Sequence, residues 1–154
     1  MADRDQATIL LVEDNANDEL LAMRALRAAQ ASGQVVVARD GLEAIEYLHG
    51  GRDGGPAAVT RHLVLLDLKL PRLSGLEVLR RIRADERTRY LPVVVLTTSD
   101  DERDMRQSYA LGTNSFVRKS IDYGQFREAV NLVARYWLLI NCCPAPSKAC
   151  TAGD

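Results

Sequence analysis

Short apolar runs alternate with longer segments of mixed polarity along most of the chain. Five runs have the length of strands, and the first four are mostly Val, Leu and Ile, which is typical of strands buried on both faces. They occupy residues 8–12, 35–38, 62–66, 93–96 and 115–118, of which the last is the weakest. The segments between them show helical spacing and cover residues 18–30, 41–48, 76–82, 101–111 and 123–140. This alternation predicts a doubly wound α/β fold with a five-stranded parallel sheet and five helices.

The chain has the length of a single domain, with 154 residues. We expect a folded domain over residues 8–140, a disordered N-terminus over residues 1–7 and a flexible tail over residues 141–154. All three cysteines, Cys142, Cys143 and Cys150, lie in that tail. Their odd number and their position predict free thiols and not a disulfide framework.

The charge balance argues against two classes of partner. Lys and Arg number 20 against 21 Asp and Glu, so the net charge is -1, without the basic excess of a nucleic-acid or membrane-surface binder. No apolar run approaches the roughly 18 residues that a membrane span needs. The polar start also lacks the features of a signal peptide. We therefore expect a cytoplasmic protein that binds neither nucleic acid nor membranes.

Reactive side chains follow the predicted strands at the points where the strands end. Glu13 and Asp14 follow the first strand, Asp67 follows the third, Thr97 ends the fourth and Lys119 follows the fifth. A single Asp after a strand is usually a turn or helix-cap residue, and a single Lys there is usually solvated. In an open parallel sheet, however, ligands bind outside the carboxyl ends of the strands. The convergence of these residues at one edge therefore favours a functional site.

The combination of groups at this edge suits phosphoryl transfer. Three carboxylates close together repel each other and need a cation, and oxygen ligands without His or Cys suit Mg²⁺. A metal beside a carboxylate, a hydroxyl and an ammonium can hold the oxygens of a phosphoryl group. In this interpretation Asp67 is a nucleophile that forms an aspartyl phosphate, and Thr97 and Lys119 hold the remaining oxygens.

Four motifs in this order resemble the receiver domain of two-component response regulators, over roughly residues 8–140. They are Leu10-Leu11-Val12-Glu13-Asp14-Asn15, Leu65-Leu66-Asp67-Leu68-Lys69-Leu70-Pro71 with Ser74-Gly75, Val95-Leu96-Thr97-Thr98-Ser99, and Phe116-Val117-Arg118-Lys119. The opening of the first helix, the glycine-rich insertion at residues 50–56 and the Tyr-Trp-Leu-Leu helix end further resemble single-domain regulators that partner bacterial phytochrome kinases. The resemblance implies a flavodoxin-like fold with strand order 2-1-3-4-5.

The resemblance also implies a role for each matching residue. Asp67 would accept the phosphoryl group from a histidine kinase phosphohistidine, with Thr97 and Lys119 binding phosphoryl oxygens. Thr97 would move on activation together with Phe116, which stands at the position of the family's switch aromatic. The implied Mg²⁺ ligands are Glu13, Asp14, Asp67 and the backbone carbonyl of Lys69.

Three positions depart from the family pattern. Ser120 follows Lys119 where the family usually has Pro in a cis peptide, and a cis bond before a non-proline residue costs about 3–4 kcal/mol. Phe116 lacks the hydroxyl of the common Tyr, so signalling would rest on packing. Thr98 follows Thr97 where a smaller residue is usual, which alters water access. We expect an acyl phosphate that lasts minutes or longer.

Two surfaces are expected to bind partners. By family analogy, a sensor histidine kinase, such as a bacterial phytochrome, would dock on the start of the first helix. The predicted docking residues are Asn17, Asp18, Leu21 and Arg24. The fifth helix has one apolar stripe that should face the sheet, made of Phe126, Val130, Val133 and Trp137. A second stripe predicts a homodimer through Leu132, Tyr136, Leu139 and Ile140, and one wide core-facing surface is the alternative.

Other functions fit the sequence less well. A degenerate receiver that acts as a constitutive dimerisation module would not need the intact set of site residues. An aspartyl-phosphate phosphatase, which would make the protein a turnover enzyme, places a second Asp where this chain has Lys69. A DNA-binding output domain has no room after Ile140, so we expect output by protein contact or onward phosphotransfer. His49, His62 and the arginines of the segment 80–89 are expected to be strand-edge or solvated surface residues.

Overall fold

The computed structural model describes residues 7–29, 33–50, 62–119 and 122–144. Within these ranges, strands and helices alternate as the sequence pattern predicts. The elements are β1 (Ala7–Val12), α1 (Ala16–Ala28), β2 (Gly33–Ala38), α2 (Gly41–His49), β3 (His62–Leu66), α3 (Gly75–Ala84), β4 (Val93–Thr97), α4 (Glu102–Ala110), β5 (Ser115–Arg118), α5 (Tyr123–Arg135) and a π-helical turn at Tyr136–Ile140. The expectations for the N-terminus before Ala7, the glycine-rich insertion, Ser120 and Cys150 fall on residues outside the described ranges.

All five strands pair in parallel, in the order β2-β1-β3-β4-β5, which confirms the predicted doubly wound topology. Strands β1, β3 and β4 are buried along their whole length, as expected for strands covered on both faces. One apolar cluster fills the side of the sheet covered by α1 and α5. A second cluster fills the side covered by α2 and α3.

Side-chain caps fix where the helices begin. Asn15 accepts a hydrogen bond from the amide of Asp18 and starts α1. Ser74 in the same way starts α3. The next residue, Gly75, must be glycine, because a Cβ there would lie 2.2 Å from the carbonyl oxygen of Asp67. The start of α3 therefore packs directly against the turn that carries Asp67.

The C-terminal helix differs from a straight α-helix in its last turn. The amide of Asn141 donates to the carbonyl of Tyr136 at 2.8 Å, an i→i+5 bond that widens the turn. Leu138 lies in the core at regular helical spacing after Val130 and Ala134, while Trp137 is only partly buried. The predicted inner stripe is therefore correct at Phe126 and Val130 and shifts by one residue at its end.

The alternative of one wide core-facing surface on this helix is wrong. The side chains of the second stripe point to solvent, with exposed fractions of 63% for Leu132, 45% for Tyr136, 55% for Leu139 and 66% for Ile140. We call these four residues the apolar patch.

Arg83 is not on a solvated face, contrary to the sequence expectation for the arginine cluster. Its guanidinium donates to the carbonyl oxygens of Gly112 at 2.9 Å, Arg89 at 3.0 Å and Leu91 at 2.7 Å. It also donates to Oδ1 of Asn114 at 2.8 Å. Arg83 therefore links the segments that enter β4 and β5.

Among the described residues, no helix is both long and apolar enough to cross a membrane.

Candidate functional site

The strand register brings the predicted site residues to one edge of the sheet. Val12 pairs with Leu66, so Glu13 and Asp67 leave adjacent strands side by side. The amide of Asp67 donates to the carbonyl of Val12 at 3.1 Å, which extends the ladder by one residue. The amide of Lys119 donates to the carbonyl of Thr97 at 2.7 Å in the same manner. The predicted edge thus holds residues from β1, β3, β4 and β5.

Three carboxylates gather at this edge. Glu13 and Asp67 are buried, with exposed fractions of 3% and 8%, whereas Asp14 is exposed. One oxygen from each lies within 4.8 Å of the other two. Oxygen ligands of Mg²⁺ or Ca²⁺ lie about 2.0–2.6 Å from the ion, so ligands on opposite sides are about 4–5 Å apart. The three oxygens therefore fit around one divalent cation, and the donor set, which has no His or Cys, suits a hard one.

Lys119 is the cation that the structure places among these carboxylates. Its Nζ lies 2.5 Å from Oε2 of Glu13, 2.9 Å from Oδ2 of Asp18 and 3.3 Å from Oδ2 of Asp67. The lysine side chain is only 7% exposed. An ammonium has three hydrogens, and each has a carboxylate partner here.

Burial and charge shift the pKa values of the two most buried members of this group. Burial raises the pKa of Glu13 to about 7, although the hydrogen bond from Lys119 opposes this rise. Burial by itself lowers the pKa of Lys119, but the bonds to Glu13 and Asp18 and the charge of Asp67 raise it to about 12. Lys119 therefore remains an ammonium at neutral pH.

Asp18 belongs to this site, although sequence reasoning placed it only on the docking surface. It lies in the first turn of α1, where its carboxylate reaches the Lys119 ammonium. Strand-end reasoning could not find it, because Asp18 lies in the first turn of α1 and not at the end of a strand. The side chain is 32% exposed, so Asp18 connects the buried site to the surface.

Thr97 is fully buried at the end of β4. Its hydroxyl oxygen accepts a hydrogen bond from the amide of Ser99 at 3.2 Å. Ser99 is also buried, and its own hydroxyl donates to Oδ2 of Asp104 at 2.6 Å. The hydroxyl of Thr97 is thus fixed by the loop between β4 and α4.

The remaining predicted residues lie around this centre. The amide of Lys69 donates to Oδ1 of Asp67 at 3.4 Å, and its side chain is exposed. Phe116 is half-buried on β5, opposite Val95 in the register. The metal role of the Lys69 carbonyl and the switch role of Phe116 stay predictions.

The predicted docking surface on α1 needs one correction. Asn17 and Arg24 are exposed, but Leu21 is partly buried and packs against the core on the α1 side. The exposed leucine of this turn is Leu20, with an exposed fraction of 49%. The helical period predicts the core face correctly only to within one residue, because the small residues Ala22 and Ala25 carry the closest contact with the sheet.

Known proteins with similar sequences cover nearly the whole chain. The probable methanogenesis regulatory protein FilR2 of Methanothrix harundinacea is 41% identical over 143 residues, which is 93% of this chain and 91% of FilR2. The response regulator Rcp1 of Synechocystis is 36% identical over 132 residues, which is 84% of this chain and 88% of Rcp1. A solved structure of Rcp1 is of its Mn²⁺-bound form.

A solved structure extends the likeness to three dimensions. The phosphorylated cyanobacterial phytochrome response regulator RcpA superposes with a TM-score of 0.81 at 39% identity, covering 91% of this chain and 99% of RcpA. The expected likeness to phytochrome-associated regulators is therefore confirmed. Residues 9–131 match the family described as the response regulator receiver domain. The chain is accordingly a member of the response regulator receiver domain family of two-component systems.

Proposed function

We propose that this protein accepts a phosphoryl group on Asp67 from the phosphohistidine of a sensor histidine kinase. The observation that carries the proposal is the grouping of Glu13, Asp14 and Asp67 within 4.8 Å, with the Lys119 ammonium 3.3 Å from Asp67. The carboxylate of Asp67 attacks phosphorus, a P–O bond forms, and the P–N bond to the kinase imidazole breaks with its electron pair returning to the ring. The product is an acyl phosphate.

The side chains around Asp67 are suited to hold the transferred group. Lys119 provides N–H donors on one side, and Thr97 provides a hydroxyl once it turns toward the phosphoryl oxygens. Glu13, Asp14, Asp67 and the Lys69 carbonyl would hold Mg²⁺, which when bound neutralises negative charge on the phosphoryl oxygens. The protein then works as a phospho-acceptor that releases phosphate slowly, and not as a turnover enzyme.

Phosphotransfer from a labelled histidine kinase tests this function. We expect wild type to become labelled in the presence of Mg²⁺ and Asp67→Asn to remain unlabelled. Chelation of Mg²⁺ should abolish labelling of wild type. Equal labelling of both proteins would contradict the proposal and would favour a constitutive interaction module.

The lifetime of the acyl phosphate is a separate expectation. Thr98 is exposed beside the buried Thr97, and Lys69 is exposed on the other side of the site. These side chains can restrict the approach of water to phosphorus, so we expect a half-life of minutes or longer in purified protein. Loss of label within seconds would contradict this.

The kinase partner is proposed to be of the bacterial phytochrome type and to dock beside the site in the cytoplasm. The likeness to RcpA and Rcp1 supports the class of kinase. The docking surface would comprise Asn17, Leu20 and Arg24, with Asp18 connecting it to Lys119. Leu20→Asp with Arg24→Glu should slow transfer from the kinase at least about tenfold, as for hot-spot contacts, and leave phosphorylation by phosphoramidate unchanged. Equal loss with both donors would argue against docking.

The apolar patch is proposed to form a homodimer interface. Four large exposed apolar side chains on one helix end are unusual for a monomer. We expect wild type to sediment as a dimer at micromolar concentration and Leu139→Asp to sediment as a monomer. Leu42→Asp is a matched control, because Leu42 is 40% exposed on α2 away from the patch. A wild-type monomer, with or without phosphorylation, would overturn the dimer.

A further inference from the structure

The loop between β4 and α4 is held closed by a carboxylate outside the site described so far. We infer that Asp104 is a positioning residue, which through Ser99 keeps the Thr97 hydroxyl in its resting position and so opposes phosphoryl binding. The inference rests on the proposed role of Thr97 as a ligand of the phosphoryl group.

Two hydrogen bonds through Ser99 link Asp104 to Thr97, and a third ties Ser99 to the backbone of Asp101. The hydroxyl of Ser99 donates to Oδ2 of Asp104 at 2.6 Å, a short hydrogen bond. The same Ser99 oxygen accepts from the amide of Asp101 at 3.2 Å. The amide of Ser99 donates to Oγ1 of Thr97, also at 3.2 Å. Ser99 is 6% exposed and Thr97 is fully buried, so water does not easily replace these partners.

This arrangement couples the side chain of Thr97 to the first turn of α4. The proposed role of Thr97 includes a movement of its side chain toward the phosphoryl group, and this movement takes its hydroxyl oxygen away from the amide of Ser99 unless Ser99 moves with it. Ser99 cannot follow freely, because its hydroxyl is held between Asp104 and the backbone of Asp101. Binding of a phosphoryl group therefore has to break at least one of these bonds, and the loss reduces phosphoryl affinity.

Asp104 has no role as the cap of α4. The cap is Asp101, whose carboxylate accepts from the amide of Arg103 at 2.9 Å. Both acids lie at the start of the helix and both interact favourably with its dipole. Only Asp104 contacts Ser99 through its side chain. Asp101 therefore provides a control for the loss of an acidic side chain at this end of α4, and its removal also takes away the helix cap.

The test measures the affinity of the full-length protein for beryllium fluoride, a phosphoryl mimic, with Mg²⁺ present. We expect Asp104→Ala to bind about fivefold or more tightly than wild type, within the usual range of coupling between two sites. Ser99→Ala should change affinity in the same direction. Asp101→Ala removes the helix cap but no side-chain contact with Ser99, so its affinity should stay within about twofold of wild type. In a Thr97→Ala background, Asp104→Ala should have no effect.

The outcomes separate this inference from the proposed function. If wild type fails to bind beryllium fluoride, the phospho-acceptor function fails and the inference with it. If wild type binds but Asp104→Ala binds equally or more weakly, the inference alone is overturned. The same holds if the tightening persists without the Thr97 hydroxyl. Asp104→Asn, which retains the shape of the side chain, should show a smaller tightening and keeps the test available if Asp104→Ala does not fold.

Discussion

Each end of β3 carries a buried ionisable residue, and the two residues differ in the groups that surround them. Asp67 directly follows the strand and His62 begins it, with exposed fractions of 8% and 7%. At the carboxyl end, the ammonium of Lys119 stands among carboxylates and burial does not suppress its charge. At the amino end, Nε2 of His62 meets only the Tyr47 hydroxyl at 3.2 Å, and Nδ1 is buried with no hydrogen-bond partner among the described residues.

The difference lies in the neighbours and not in the depth of burial. The carboxyl ends of β1, β3 and β5 deliver Glu13, Asp67 and Lys119 to one point, so each charge has a counter-charge. His62 instead borders a cavity of about 360 Å³ lined by the segment 137–143. Burial there lowers the pKa of His62 and favours the neutral ring. The Lys119 ammonium thus keeps its charge at one end, whereas the charged form of His62 is disfavoured at the other.

Removing Lys119, at the carboxyl ends of the strands, should have the largest effect on stability. In metal-free buffer at pH 8, Lys119→Met leaves the buried carboxylates of Glu13 and Asp67 without their cation, and we expect the free energy of unfolding to fall by about 3 kcal/mol. At pH 5.5 the loss should shrink, because Glu13 can then bind a proton. Urea denaturation followed by the fluorescence of Trp137, the single tryptophan, measures both values.

Lys69→Met is the control for this substitution. Lys69 lies at the same edge of the sheet but its side chain is exposed, so its removal should cost less than about 0.5 kcal/mol. Equal losses of unfolding free energy in the two lysine variants would contradict the view that the Lys119 ammonium balances the buried carboxylates.

Acidification should lower the stability of the protein through His62, at the amino end of β3. The pKa of His62 is lowered in the folded state, so as pH falls below the ordinary value of 6.5 the unfolded chain binds a proton that the folded chain resists. Stability is therefore lost as pH falls. Between pH 7.5 and 5.5, wild type should lose up to about 1 kcal/mol more than His62→Gln, whose side chain stays neutral. Parallel losses in urea denaturation would show that His62 does not resist protonation.

Neutralising Asp18 should have the smallest of the three effects. Asp18→Asn weakens one of the three hydrogen bonds that orient the Lys119 ammonium, and the bond is partly exposed to solvent. We expect the initial rate of phosphorylation by phosphoramidate to fall roughly threefold, as for a partly exposed ion pair. Glu19→Gln should leave the rate unchanged, since Glu19 pairs with Arg39 instead. An unchanged or higher rate in Asp18→Asn would remove Asp18 from the site.

The site residues at the carboxyl ends of the strands were also easier to predict from the sequence than the rest of the structure. Apolar runs locate the strand ends, and topology then brings Asp14, Asp67, Thr97 and Lys119 to one edge without knowledge of side-chain angles. The place of Asp18 could not be read in this way, because it depends on the direction in which the first turn of α1 leaves the strand.

Local geometry explains the other misses. Helical spacing does not distinguish Leu20 from Leu21 at the start of α1, because Leu20 has Met23 three positions on and Leu21 has Ala25 four positions on, so either leucine can belong to an apolar stripe. The same spacing does not predict that Ala134 and Leu138, and not Val133 and Trp137, are the buried residues at the end of the last helix. Arg83 looked like its neighbours in sequence, and only the fold shows the four acceptors that surround its guanidinium.

The four acceptors of the Arg83 guanidinium limit where the structure can rearrange after a change at Asp67. Arg83 anchors the entry segments of β4 and β5 to α3, at the end of these strands far from Thr97 and Lys119. A rearrangement triggered at Asp67 therefore cannot spread by sliding whole strands past one another. We expect it to be taken up in the loops that leave the sheet and in the orientation of α4, because Arg83 ties the opposite ends of β4 and β5 to α3.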